Sequence, residues 1–342
     1  MALCDDNTEM FLPRIAPVAS KTPSASGACL IALLVAGSGA AHAQTAFPVK
    51  PIRIVTAAVG GASDFTARLL AQGLGSSFGQ QVIVDNRGGA SGIIAAQTVA
   101  KSPPDGYTVL LFTSPFWLLP LLQDNVPYDP VKDFAPISMT DSSPSVLIVH
   151  PSLPVKSVRE LIVLARKRPG ELNYSRASAG GPSHLSAELF KAMSGVNMVA
   201  VPYKGGGPAV LALLGGEVEL TFASAGAAAA PLRLNRVRAL AVTTAEPSLL
   251  FPGVPTIAAS GLPGFESVLV NGLFAPAGTP ASIINMLNQE TVQFLRKAEV
   301  KERFFGTAME SVGSTPAELE SVVRSDIAKW GRLIKAAKIR ID

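Results

Sequence analysis

Short apolar, β-rich runs alternate with stretches of helical periodicity along nearly the whole chain. Residues 52–55, 82–84 and 108–112 carry the composition of buried parallel strands. Between the first two, Phe65, Leu69, Leu70 and Leu74 recur at helical spacing and predict a helix over 64–74. A second helix is predicted over 91–101, entered through the Gly88-Gly89 turn. The order βαβαβ predicts a parallel α/β sheet.

A second α/β series begins after a proline-containing bridge at 141–144. Residues 146–149 form a strand, and Ser157-Val158-Arg159-Glu160 reads as a capping box opening a helix that stops at Pro169-Gly170. Strands over 172–174 and 199–203 flank a helix over 183–194. A helix over 208–214, ended by Gly215-Gly216, leads to strands over 220–223 and 238–243. The proline- and glycine-rich segment 247–263 predicts irregular structure, and 268–275 an extended run. Two helices close the chain, one capped by Thr279-Pro280 and one by the Thr315-Pro316-Ala317-Glu318 capping box. The simplest assembly returns them to the first half. The segments 146–149 and 268–275 then cross between halves as a two-strand hinge. This divides the chain into a domain of 44–145 plus 270–342 and a domain of 146–269.

The N-terminus changes the picture of where the protein acts. Arg14 and Lys21 precede a short apolar core over 28–37, and Ala41-His42-Ala43 has the small-x-small form of a cleavage site. Residues 1–43 therefore read as a signal peptide cleaved near Ala43-Gln44, which places the mature chain in the periplasm. The apolar core is too short to span a membrane. Both cysteines, Cys4 and Cys29, fall in this segment, so the mature chain has neither disulfides nor thiolate chemistry. Hydrophobic residues make up 48% of the 342 and support a large core, while a formal charge of +4 without Lys/Arg clusters argues against nucleic acid or a membrane surface as partner.

Catalytic signatures are missing. Beyond the signal the chain has only His150 and His184, and no G-x-S-x-G, G-x-G-x-x-G or G-x-x-x-x-G-K-[ST] motif. No metal site and no cofactor are expected. The informative segments are two glycine loops, each after a β-like run and before a helical one: Gly60-Gly61-Ala62-Ser63-Asp64 and Ser178-Ala179-Gly180-Gly181-Pro182-Ser183-His184. A strand that breaks into glycines and then a helix presents free N–H groups at the positive end of the helix dipole, which holds anions without a lysine or arginine. Asp64 is expected at the first helix cap or near it, and Ser183 after Pro182 suits the second. His184 reads either as a ligand contact or as a structural residue. Lys204, in Tyr203-Lys204-Gly205-Gly206-Gly207-Pro208, reads either as a carboxylate partner or as a solvated loop lysine. Thr113 and Ser114 offer hydroxyls after the third strand, beside Phe116 and Trp117, which either wall a pocket or fill the core.

Ordered matches extend over essentially the whole mature sequence. They include Phe47-Pro48-Val49-Lys50-Pro51-Ile52-Arg53, Gly79-Gln80-Gln81-Val82-Ile83-Val84-Asp85-Asn86-Arg87 and Pro104-Asp105-Gly106-Tyr107-Thr108. Tyr128-Asp129-Pro130, Val201-Pro202-Tyr203-Lys204-Gly205, Val254-Pro255-Thr256 and Ala275-Pro276-Ala277-Gly278-Thr279-Pro280 continue them. In these the chain resembles the substrate-binding proteins of tripartite tricarboxylate transporters, the Bug family. The resemblance implies a type II periplasmic binding protein fold, a Venus flytrap of two α/β domains. It also implies a small organic carboxylate in the interdomain cleft and a membrane permease, or a sensor kinase, as partner of a monomeric protein.

Two departures stand out. Ala57-Ala58-Val59 replaces the aromatic and proline residues usual before the first loop, which predicts a roomier, more apolar pocket. Ser175-Arg176-Ala177-Ser178 replaces the usual glycine-serine run after Tyr174, and Gly181 stands where a hydroxyl is usual. Arg176 either replaces that donor with a charge or points outward. The rival reading, a cleft hydrolase or isomerase, needs His184 or Asp64 as its base.

Overall fold

The structure, a computed structural model, describes residues 47–341 apart from 57, 58, 178 and 179. The expected signal peptide lies outside the described residues. The first half runs β1 (Ile52–Thr56), α1 (Ala62–Phe78), β2 (Val82–Asn86), α2 (Ile93–Ala100), β3 (Thr108–Thr113) and α3 (Pro115–Leu122). The long β4 (Phe134–Val149) leads to α4 (Val158–Lys167), β5 (Asn173–Arg176), α5 (Pro182–Ser194), β6 (Val199–Pro202), α6 (Gly206–Leu214), β7 (Leu220–Ser224), α7 (Ala225–Arg233) and β8 (Arg238–Val242). The chain then returns through β9 (Val268–Pro276), α8 (Ala281–Leu295), α9 (Ala298–Gly306), β10 (Glu310–Ser311) and α10 (Pro316–Ala336).

Strands β2, β1 and β3 are parallel, and β9 joins β3 antiparallel, from Leu110 opposite Phe274 to Thr113 opposite Asn271. β4 pairs with β9 from Phe134 opposite Pro276 to Pro144 opposite Val268. From Ser145 to Val149 it pairs instead with β7 on one side and with β8 over Val146 to Val149 on the other, while β7, β5 and β6 are parallel. One strand thus belongs to two sheet regions. Residues 141–144, expected to be a bridge, are continuous β-strand. Pro144, in the expected bridge, sits at the hand-over from β9 to β7, and Pro136 lies beside a register shift of the same strand. A residue without an N–H is tolerated at such points.

Both faces of the sheets are covered, which is why the strands read as continuous apolar runs. On β3, Val109 and Leu111 pack with Ile52, Ile54, Leu70 and Leu287, while Leu110 and Phe112 face Phe116, Trp117 and Phe274. On β4, Val146 and Ile148 pack toward Val210, Leu213 and Phe251, and Leu147 and Val149 join Tyr174, Phe190 and Phe222.

Three helices have no counterpart in the expected set. α3 is apolar on every side, with Phe116 and Trp117 at 1% and 0% exposure, so no amphipathic period marks it; these two rings are core. α7 is an alanine-rich helix with Pro231 inside, a composition that carries neither stripe nor cap. The closing segment forms three helices instead of two, because the chain extends at Lys297 (φ −63°, ψ 138°) between α8 and α9. The Thr315 capping box is present in full. At Ser157 only half of one forms: its hydroxyl accepts from the Glu160 amide, but the Glu160 carboxylate takes the Lys156 amide.

Where β4 and β9 cross, Asp141 is 1% exposed. The hydroxyls of Thr66 and Thr140 donate to its Oδ1 at 2.9 Å, and Asn271 Nδ2 donates to its Oδ2 at 2.7 Å. All three donors are neutral. Burial pushes the carboxyl up to about 6 against the pull of these hydrogen bonds.

The folded protein therefore holds this proton more tightly than the unfolded chain, whose ordinary value is 3.8. The resulting stability is full below that value and is lost as pH rises through about 6, a difference of about 3 kcal/mol. Thermal unfolding at pH 5 and pH 7 checks this. The wild type gains stability at pH 5, and Asp141→Asn removes most of that gain.

Candidate functional site

The registers bring two sets of strand ends together. β3 ends at Thr113 opposite Asn271 of β9, and β7 ends at Ser224 opposite Ser145 of β4, so both stop where β4 passes between sheet regions. The carboxyl ends of β1 and β5 lie on the same edges, parallel to these neighbours. In open α/β sheets such edges are where helix starts and ligands meet.

The two glycine loops have one backbone. Gly60 is left-handed at φ +83° and Gly61 caps α1 at φ −82°, ψ 172°. Gly180 is left-handed at φ +66° and Gly181 caps α5 at φ −76°, ψ 170°. In each, the amide of the left-handed glycine donates to the side chain four residues on: Gly60 to Asp64 Oδ2 at 2.9 Å, Gly180 to His184 Nδ1 at 3.1 Å. Neither helix start has a side-chain cap, so the amides of its first turn are left for a ligand or solvent.

Ser183 is thus not the cap, and Asp64 lies near its cap and not at it. Asp64, in the third helical position, is 4% exposed and accepts from Gly60, Arg68 Nε (3.1 Å) and Asn86 Nδ2 (2.8 Å). Burial opposes its charge, but those hydrogen bonds outweigh burial and hold the carboxyl below its ordinary value. Pro182 takes the first helical position, which moves the cap back to Gly181; Ser183 Oγ accepts from the Ala177 amide at 3.1 Å. His184 is held below the ordinary imidazole value, first by burial and then by the nearby Arg176 charge. Its Nδ1 lone pair is engaged by the loop it closes.

Other expected residues divide. Ser63 Oγ donates to Asn271 Oδ1 at 2.8 Å. Ser114 donates its amide to Val270 O at 2.8 Å, and its hydroxyl has no partner among the described residues. It lines a small pocket with Gly180, Pro182, Leu185, Ser267 and Leu269, so structure brings the end of β3 to the second loop. Thr113 is half-buried in the ladder opposite Asn271. Lys204 is exposed in the turn before Gly205, the cap of α6, and joins none of these contacts. Ser178 lies outside the described residues, as do Ala57 and Ala58, on which the expectation of a roomier pocket rests.

Residues that sequence reasoning missed tie these parts together. Asn271 receives Ser63, and Ser267, four residues back on the same chain, pairs with Ser186 Oγ at 2.8 Å. The starts of α1 and α5 are therefore pinned to points about 13 Å apart along an extended chain. Asn271 had a readable signal: an amide inside an otherwise apolar strand needs a partner. No group of three or more His, Cys, Asp or Glu suited to a metal occurs among the described residues.

The family model of the tripartite tricarboxylate transporter family receptor, TctC, matches residues 66–339. The chain belongs to this family. Protein BugT of Bordetella pertussis is 36% identical over 308 residues, covering 89% of this chain and 94% of that protein. Among solved structures, Rpa4515 of R. palustris with adipate is 39% identical with a TM-score of 0.70, covering 86% of this chain and 99% of that one. MatC of Rhodopseudomonas palustris with bound malate is 30% identical with a TM-score of 0.67, covering 84% and 100%. These likenesses match the expected Bug-family resemblance and the binding-protein fold.

The left-handed glycines differ in their surroundings. A Cβ on Gly60 meets nothing within 4 Å, whereas one on Gly180 falls 2.9 Å from Ile341 Cδ1 and Leu122 Cδ1. Gly60→Ala pays only the left-handed strain, about 1–2 kcal/mol. Gly180→Ala bears the same strain and must also push back the terminal methyls of Ile341 and Leu122, a small further cost, so calorimetry should show a fall in Tm at least as large for that variant.

Proposed function

We propose that the chain is a periplasmic solute-binding protein that captures a small organic carboxylate at its paired helix starts. It delivers this ligand to a permease of the tripartite tricarboxylate type. The observation that carries the reading is the matched pair of uncapped helix starts, closed by the same left-handed glycine turn and tied to one chain segment, Ser267–Asn271. Backbone amides at helix starts bind anions whatever the side chains around them.

Family membership supports the transport role, and the adipate and malate carried by two similar proteins support the ligand class. In this reading the halves 44–145 plus 270–342 and 146–269 act as the two domains of a flytrap, hinged where β4 and β9 pass between them. The protein is a binder and not an enzyme. Asp64 is tied up by three donors and His184 by Gly180, which leaves neither as a ready base.

Thermal-shift and calorimetric titration of the mature protein with adipate, malate, citrate, glutamate and benzoate test this. Binding of at least one acid is expected, with its amide bound measurably but more weakly; binding of none sinks the reading. Ser114→Ala removes one hydroxyl donor to a charged group and should weaken the bound acid about 10- to 100-fold.

A further inference from the structure

The two loops match in backbone and differ in charge. Four residues before the left-handed glycine stands Thr56 on β1 and Arg176 on β5. Thr56 is fully buried, and its hydroxyl donates to Leu111 O at 2.9 Å. Arg176 is half-buried, and its Nε is shut off from solvent with no hydrogen-bond partner among the described residues. It lies two residues beyond Tyr174, hence on the same face of β5, and Tyr174 Oη donates to Glu188 of α5 at 2.8 Å. Arg176 therefore sits under the first turn of α5, at the strand end.

The nearby carboxylate is already taken. Glu188 Oε1 accepts from Tyr174 and from Lys191 Nζ, both at 2.8 Å, and forms no ion pair with Arg176. His184 Nε2 lies 3.9 Å from the same oxygen, and its Nδ1 accepts from Gly180, which is the neutral form of the ring. Around this loop Arg176 and Lys191 face one Glu188, leaving one positive charge in excess. Around the first loop Asp64 and Arg68 cancel. A guanidinium with a buried, unmet N–H is costly until an acceptor arrives, and its planar fork fits a carboxylate.

Resting on the carboxylate-binding reading above, we propose that Arg176 is a specificity-determining residue of this site. Its guanidinium takes a ligand carboxylate from the β5 side while the open amides of Ser183 and His184 take it from the helix side. The second loop is then the charged half of the site, and the first loop completes the grip with neutral donors.

Titration calorimetry of the mature protein, its Arg176→Gln and Arg176→Lys variants with adipate and its neutral analogue adipamide tests this. Malate and citrate with their amides serve as further probe pairs. Arg176→Gln should lose about 10- to 100-fold in affinity for the acid and leave the amide unchanged, while Arg176→Lys recovers part of the loss. The melting temperature of the unliganded variants should not fall. Equal acid affinity in wild type and Arg176→Gln overturns the role of Arg176 and leaves the carboxylate reading standing. Equal loss for acid and amide shows Arg176 to be merely structural and also overturns it. A wild type that binds none of the acids overturns the carboxylate reading itself.

Discussion

Five residues, from Ser267 to Asn271, hold the functional end of the molecule in register. Ser267 takes Ser186 near the start of α5, Val270 accepts the amide of Ser114 at the start of α3, and Asn271 links Ser63 of α1 to Asp141 of β4. Over Val268–Asn271 the strand is itself fixed by its ladder to β4. A slip of one residue would turn Asn271 away from Ser63 and Asp141 and detach α1. The spacing of the helix starts is therefore inherited from strand pairing and does not depend on the loops.

That dependence matters because each loop is too weak alone. Micromolar affinity needs about 8 kcal/mol, and each hydrogen bond to a charged group contributes about 1.5–3 kcal/mol. Four to six donors must converge, after the cost of association is met. One uncapped helix turn supplies two or three. In the proposed reading, two turns tied to the Ser267–Asn271 segment, with Ser114 and Arg176 added, supply enough.

The sequence made the glycines visible and hid what closes them. Gly60-Gly61 and Gly180-Gly181 were legible because only glycine enters a left-handed turn cheaply. Asp64 and His184 perform one closing role with different chemistry, so no motif search would equate them. The alternating strands and the Thr315 capping box were equally legible. α3 and α7 were not, since a helix apolar on every side or built of alanine has no stripe. Pro144 misled for a physical reason: proline usually ends a strand, but here it marks where one strand changes partners.

Stability and binding draw on the same groups. The open amides of α1 and α5 and the unmet Nε of Arg176 are polar groups that folding leaves without partners among the described residues. Asp141 is a different case, since its three donors satisfy its oxygens and only its charge is disfavoured. The first set can be relieved by an anion from outside, and the second cannot. An anion that meets the first set binds the folded state alone and must raise its stability by mass action. In the proposed reading the unmet donors at the two helix starts and at Arg176 form the site, whereas the buried carboxylate marks the crossing that holds these helix starts in place.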